Sequence, residues 1–403
     1  MKFSDNAMSA ILLCSYIGIQ DSTAMKPLSL GQWNSFLDKL IEKKQEPGIV
    51  LEPDLSTLKH LQFPDELIER IQSLVSRGGG VAFELDNLEK KGIDVVTQFD
   101  ADYPVLMRRR LKKKTPPVLF YAGDIQLAKK IGIAVAGSRN VDDDGVEFTK
   151  KLVEKAAGEK LIIYSGGAKG VDTISEQTAI YAGSAVVCFL ADSLLAKIRK
   201  KEIIDSITQG RMLLISDVKP DAGFSSARAM NRNKYIYTSA YGAFVVASEY
   251  NKGGTWAGAV EAVRNGWSKT FVWDHKEYDG NQKLIEKGGI AYKLSADKIY
   301  DVITRKEEVF SQLDLFSINE PAVHGKGKSN CDKELYEAGE TRDLYDYVKY
   351  YIASHLTRGM DIDEASKYFN VAKDQMTLWM KRLCEEQVVG IDKEKFYVRQ
   401  DFS

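Results

Sequence analysis

The chain has 403 residues, 44% of them hydrophobic, and a formal net charge of −1. That length points to two or three domains, and the apolar fraction is ample for buried cores. The near-zero charge excludes a wholly basic nucleic-acid coat, although a local basic groove remains compatible with it. Cys14, Cys188, Cys331 and Cys384 show no CxxC or metal spacing, as in a reducing cytoplasm. The apolar run at 10–13 is too short for a convincing signal, and no run approaches a membrane span. A soluble cytoplasmic protein without a membrane partner is expected.

In chain order, residues 1–90 show apolar positions recurring at three and four through 10–19, 33–41 and 67–75. Pro27, Pro53, Pro64 and the triplet Gly78-Gly79-Gly80 punctuate them, which predicts a small helical accessory domain. From Gly92 the pattern changes to strands alternating with helical segments. Apolar runs at 92–97, 116–122, 131–135, 161–164, 185–190, 212–216, 243–247 and 269–273 read as strands. Helical period fills 146–157 and 174–182. Residues 91–303 are therefore expected to form an α/β domain, a Rossmann-like doubly wound parallel sheet. The run Arg108-Arg109-Arg110-Leu111-Lys112-Lys113-Lys114 suits a solvated helix end or a nucleic-acid contact.

Residues 304–340 are polar and irregular, the composition of a linker. Order resumes at 341–403. Helices are expected over 344–356, from Asp361 onward and over 375–386, with a hairpin turning about 392–395. Three helices and a hairpin make a C-terminal winged helix. Its third helix carries Lys373, Lys381 and Arg382 but also Asp374, Glu385 and Glu386, so DNA and protein contact both stay open.

The chemistry concentrates where strands empty into small residues. The strand at 131–135 leads to Gly137, Ser138 and Arg139, and that at 161–164 to Ser165, Gly166, Gly167, Ala168, Lys169, Gly170 and then Asp172. A third such stretch holds Lys252, Gly253, Gly254 and Thr255. Ligands of parallel sheets sit beyond the carboxyl ends of the strands, and small residues there let backbone N–H groups approach an anion. Arg228, Arg232, Asn233 and Lys234 lie in and just after a polar loop that follows Phe224, where a helix starts, and are side chains suited to phosphate and base-edge contacts. The ensemble reads as a phosphate-binding mouth.

In this order the motifs resemble the DprA/Smf family of DNA-processing proteins. The resemblance rests on Gly137-Ser138-Arg139, the stretch 165–172, Arg232-Asn233-Lys234, Gly253-Gly254-Thr255 and Gly280 to Gly289. Asp102-Tyr103-Pro104 and the run 117–121 extend it to about residues 92–292. It implies a dimeric Rossmann-like domain that binds single-stranded DNA and helps load a RecA-type recombinase. Carried over by position, Arg139 would hold a phosphate, Ser138 and loop 165–170 would line the pocket, and Arg232, Asn233 and Lys234 would form its basic wall. The chain departs from the family in Ser175-Glu176 where Ala-His is usual, in a longer interval from Phe224 to Arg232, and in Trp273-Asp274 where Pro-Gly is usual.

No nucleophile–base pair or metal cluster is evident, and His60, His275, His324 and His355 are scattered. A binding protein without cofactor or catalysis is therefore expected. The alternative is a nucleotide-binding sensor, or a nucleotide N-glycosidase of the same fold superfamily, in a defence or stress system. Gly253-Gly254-Thr255 with Glu261 faintly echoes the loop of such glycosidases. A generic dinucleotide enzyme is set aside, because Gly-x-Gly-x-x-Gly is missing after the first strand of the unit.

Overall fold

The structure, a computed structural model, describes residues 3–19, 25–52 and 56–305. Toward the C-terminus it describes 352, 356, 359–369, 373–386, 388–392 and 395–398. The chain divides into two compact units, Met1–Phe310 and Ser311–Ser403.

The first unit opens with helices α1 (Asp5–Cys14), α2 (Leu30–Glu42), α3 (Ser56–His60), α4 (Asp65–Val75) and α5 (Gly78–Lys90). Helix α1 begins earlier than its apolar period suggests, because the Ser4 side chain accepts from the Ala7 N–H and caps it. Helix α2 starts in a full capping box formed by Ser29 and Gln32. The triplet Gly78-Gly79-Gly80 forms the first turn of α5, a helix the sequence reading left out. Ile11, Leu13, Trp33 and Phe36 from these helices share one buried cluster with Val95 and Phe120 of the sheet.

The sheet has nine strands: β1 (Asp94–Thr97), β2 (Val118–Ala122), β3 (Gly132–Ala136), β4 (Ile162–Ser165), β5 (Val186–Phe189), β6 (Met212–Ser216), β7 (Gly242–Val245), β8 (Lys269–Trp273) and β9 (Ile290–Tyr292). Their order is β1-β2-β6-β5-β4-β3-β7-β8-β9. From β6 to β9 every neighbour is parallel, whereas β2 pairs antiparallel with both β1 and β6. The Rossmann-like α/β expectation is met, with an antiparallel pair at one edge. Between the strands run α6 (Val105–Leu111), α7 (Asp143–Gly158), α8 (Val171–Tyr181), α9 (Leu194–Lys197), α10 (Lys201–Thr208), α11 (Ser226–Ser239), α12 (Gly253–Asn265), α13 (Asp279–Glu286) and α14 (Ile299–Thr304).

Alternate strand residues serve opposite faces, as the period of two requires. Ile133, Val135, Ile163 and Val186 pack with Leu152 of α7 and Ala179 of α8. Ala134, Ala136, Ile162 and Val187 pack with Tyr235 of α11 and Ala259 of α12 on the other side. The chain winds from β3 out through β4, β5 and β6, then returns to place β7 on the free side of β3. The loops leaving β3 and β7 therefore diverge, and a crevice opens beyond their carboxyl ends.

In the second unit, α15 (Ile362–Tyr368) starts in a capping box of Asp361 and Glu364, and α16 (Lys373–Glu385) follows. Strands β10 (Val389–Asp392) and β11 (Lys395–Val398) form an antiparallel hairpin with Asp392 opposite Lys395. Met376, Met380 and Leu383 are buried in its core with Ile352 and Leu356. The helix expected over 344–356 lies outside the described residues apart from Ile352 and Leu356, and so does the expected linker from 306 onward.

Candidate nucleic-acid interface

A cleft of about 620 Å³ opens at the switch point between β3 and β7. One wall is the turn after β3, with Gly137, Ser138, Arg139 and Asn140. The Ser138 hydroxyl donates to the Asn140 carbonyl (2.9 Å) and accepts from the Asn140 N–H (3.1 Å), which fixes the turn. The opposite wall is the turn opening α12, with Lys252, Gly253, Gly254 and Thr255. Thr255 Oγ1 donates to the Gly137 carbonyl (2.8 Å) and ties the two walls together. No side chain caps the N-terminus of α12, which faces the cleft with its positive dipole end.

The third side is α11, in the stretch that the sequence reads as a polar loop giving way to a helix. It is a helix from Ser226, capped by the Ser225 hydroxyl, which accepts from the Arg228 N–H (3.3 Å). Ala229, Arg232, Asn233, Ile236 and Tyr237 line the cleft, following the helical period. Lys234 falls on the other side of the helix, where its ammonium donates to Asn231 Oδ1 (2.6 Å) beside the Tyr235 ring. Burial pushes that ammonium down. Arg228 is exposed and donates to the Gly223 carbonyl (2.6 Å), outside the cleft lining.

Arg232 is the feature that sets this cleft apart. It is 6% exposed, yet its Nε and Nη1 have no hydrogen-bond partner among the described residues. Beside it the buried Tyr237 hydroxyl is also unpartnered. Burial first, and the charge of Asp172 second, push the Tyr237 phenol up, so it stays a neutral donor. A buried guanidinium is costly unless anionic charge offsets it. The Asp172 carboxyl meets part of that charge without a hydrogen bond to Nε or Nη1, which leaves two N–H groups open to a further acceptor. Asp172 also lines the cleft; burial pushes its carboxyl up, opposed chiefly by the charge of Arg232.

Loop 165–170 is placed differently from expectation. Only Ala168 of that loop reaches the cleft lining; Ser165, Gly166, Gly167, Lys169 and Gly170 do not. The amides of Gly167 and Ala168 point into the protein. The Gly167 N–H donates to Glu176 Oε1 (2.9 Å) and the Ala168 N–H to Asp172 Oδ2 (3.2 Å). The glycines are needed for close approach. A Cβ at Gly166 would lie 1.3 Å from Arg232 Nη1, and one at Gly170 (φ +75°) would lie 2.3 Å from the Ser138 carbonyl oxygen. Lys169 is exposed.

Several cleft residues escaped the sequence reading, Asn140, Ile236 and Tyr237 among them, and two more stand at the rim. Phe224 is 58% exposed at the mouth, with the Arg139 guanidinium 5.9 Å from its ring centre, and Met230 beside it is 54% exposed. Exposure of an aromatic has no signature in sequence. The basic run of α6 is largely structural. Arg110 donates to the Thr238 and Ala240 carbonyls, Lys113 pairs with Asp38 (2.7 Å) and Lys114 sits 3.8 Å from Glu261. Burial pushes Arg110 down to about 10. Among the described residues no group of three or more His, Cys, Asp or Glu side chains gathers to hold a metal, and no helix is long and apolar enough to cross a membrane.

Fold and site together define a Rossmann-like α/β protein with an open cleft, lined by Arg139, Arg232 and Lys252, at the β3–β7 switch point. The model of the family described as DNA recombination-mediator protein A matches residues 94–304, and the chain belongs to that family. DNA processing protein DprA of Bacillus subtilis is 25% identical over 232 residues, covering 55% of this chain and 75% of that one. DNA processing protein DprA of Streptococcus pneumoniae is 34% identical over 79 residues, 20% of this chain, and the match spans only 28% of that relative. The X-ray structure of DNA processing protein A from Streptococcus pneumoniae superposes with a TM-score of 0.53 at 20% identity, over 72% of this chain and 95% of that one. This last likeness is one of fold.

Proposed function

We propose that the chain is a DNA-processing protein of the DprA/Smf type that binds single-stranded DNA in the β3–β7 cleft without catalysing a reaction on it. The observation that carries the reading is the buried Arg232 guanidinium, with Nε and Nη1 free of hydrogen-bond partners among the described residues, under a mouth formed by Arg139 and the exposed Phe224. A strand phosphate supplies the anion that Arg232 lacks, and the open α12 N-terminus adds its dipole to the same site. An unstacked base lies on Phe224, a contact open to single strands and closed to paired ones. The separation of roles suits sequence-independent binding, since phosphate and ring faces are common to every nucleotide.

On the family resemblance, the reading extends to a cytoplasmic homodimer that passes its strand to a RecA-type recombinase, with the C-terminal unit as a winged helix. The nucleotide-glycosidase alternative is weaker, because Glu261 stands beside Lys114 and does not line the cleft. The test is fluorescence anisotropy of the full chain with labelled oligo-dT and with a duplex of equal length, each at two salt concentrations. Tight, salt-sensitive binding that prefers the single strand is expected. Equal affinity for duplex, or no binding to either, would contradict the proposal.

A further inference from the structure

We infer that Glu176 is a positioning residue for the cleft: it fastens loop 165–170 from below and thereby sets the surface against which Arg232 lies. Glu176 Oε1 accepts from the Ser165 hydroxyl (2.7 Å) and from the Gly167 N–H (2.9 Å), and the Cys188 thiol is 3.6 Å away. On the other side of the same residue, the Lys197 ammonium donates to the Gly167 carbonyl (3.4 Å). Gly167 is thus gripped at both its N–H and its C=O. One helical turn before Glu176, Asp172 takes the Ala168 N–H (3.2 Å), so two carboxyls on one face of α8 hold consecutive amides.

The consequence reaches the cleft through Gly166. Its backbone stands against the Arg232 guanidinium so closely that a Cβ there would overlap Nη1. A loop that relaxed outward would enter the space the guanidinium occupies. One that turned its amides toward the cleft would compete with Arg232 for the same anion. Glu176 prevents both, since each of its bonds draws the loop inward. The loop, which its glycines suggest is a phosphate cradle, serves instead as a fixed backing for Arg232. The link to DNA rests on the single-strand reading above, whereas the fastening of the loop stands independently of any ligand.

The experiment compares the full-length wild type with Glu176→Ala and Glu176→Gln. It reads amide exchange across 165–170 in the free protein and affinity for labelled oligo-dT, with Arg139→Ala as a reference. Glu176→Ala loses the acceptor; exchange at Gly167 is expected to accelerate about tenfold or more, with a loss of affinity of about tenfold. Glu176→Gln retains a carbonyl oxygen of the same reach and restores both toward wild type, which a general loss of packing would not do. Ser165→Ala, which removes one donor and keeps the carboxyl, gives the same direction more mildly if the alanine variant at 176 does not fold. Unchanged loop exchange in Glu176→Ala overturns the fastening. Faster exchange with unchanged oligo-dT affinity, while Arg139→Ala still weakens binding, overturns the positioning role. A wild type that does not bind oligo-dT removes the single-strand reading, and the exchange comparison still decides the fastening.

Discussion

Two glycine-rich turns at strand ends look alike on paper and differ in what they offer a ligand. Loop 165–170 follows β4 and has its amides at Gly167 and Ala168 bonded to Glu176 and Asp172. The turn opening α12 follows β7, carries no side-chain cap, and lines the cleft with Gly253, Gly254 and Thr255. On the proposed function the first turn is a backing and the second the receptor. The difference is made by two carboxyls on α8 rather than by the glycines, so glycine content alone does not identify an anion site. Where N–H groups are already paired inside the protein, an anion must displace a bonded carboxylate to reach them, which costs more than it gains.

On the proposed function the contrast assigns the anion to the side of the cleft formed by α11 and α12, and variants can break that assignment. The largest effect is expected for Arg232→Met. Losing a hydrogen-bonded charge at the anion should lower oligo-dT affinity about 10- to 100-fold. The thermal midpoint should change little, because a buried cation short of hydrogen bonds is replaced by an apolar chain of similar size and the Asp172 carboxyl left beside it can take up a proton. A parallel collapse of folding and binding would contradict the role assigned to Arg232. Phe224→Ala comes next, with a loss of about tenfold that is similar at low and high salt, as stacking requires. Arg139→Ala should cost only a few-fold at moderate salt, because its cation is exposed. It should, however, make the logarithmic salt dependence shallower by about 0.7. An unchanged slope would remove Arg139 from the phosphate contacts.

The smallest effect sharpens the other turn. Burial first, and the charge of Asp172 second, raise the Glu176 carboxyl above its ordinary value. The folded protein therefore favours the protonated form more than the unfolded chain does. Stability from this group is full in acid, below about pH 4, and is lost as pH rises through the raised value. Glutamine cannot ionise. The thermal midpoint of Glu176→Gln relative to wild type should thus climb from acid to neutral pH, and a constant offset across that range would argue that Glu176 is not strained by its burial.

Much of this was legible in the sequence, for identifiable reasons. Strands β3 to β8 are buried on both faces and read as unbroken apolar runs such as Ile133-Ala134-Val135 and Leu213-Leu214-Ile215. Strand β9 has three residues between glycines and a polar loop, too few to register. The antiparallel direction of β2 is set by its neighbours in space, which no local pattern encodes. In the cleft, Arg139 and Arg232 were identified by motif, and both line it. Lys234 was grouped with Arg232 because the two belong to one motif of the family resemblance, carried over by position. In helix α11 a spacing of two residues turns it about 200° away. The pairing of loop amides with Glu176 could not be read, since it depends on the placement of α8 beneath β4.

The most direct measurement is amide hydrogen exchange of the full chain with and without saturating oligo-dT. The account predicts slowed exchange at the start of α12, across 253–256, and no change across 165–168, where the amides are already bonded within the protein. Slowing confined to 165–168, with α12 unaffected, would show that the loop beyond β4 is the phosphate cradle after all and would contradict the assignment of the anion to the α11–α12 side.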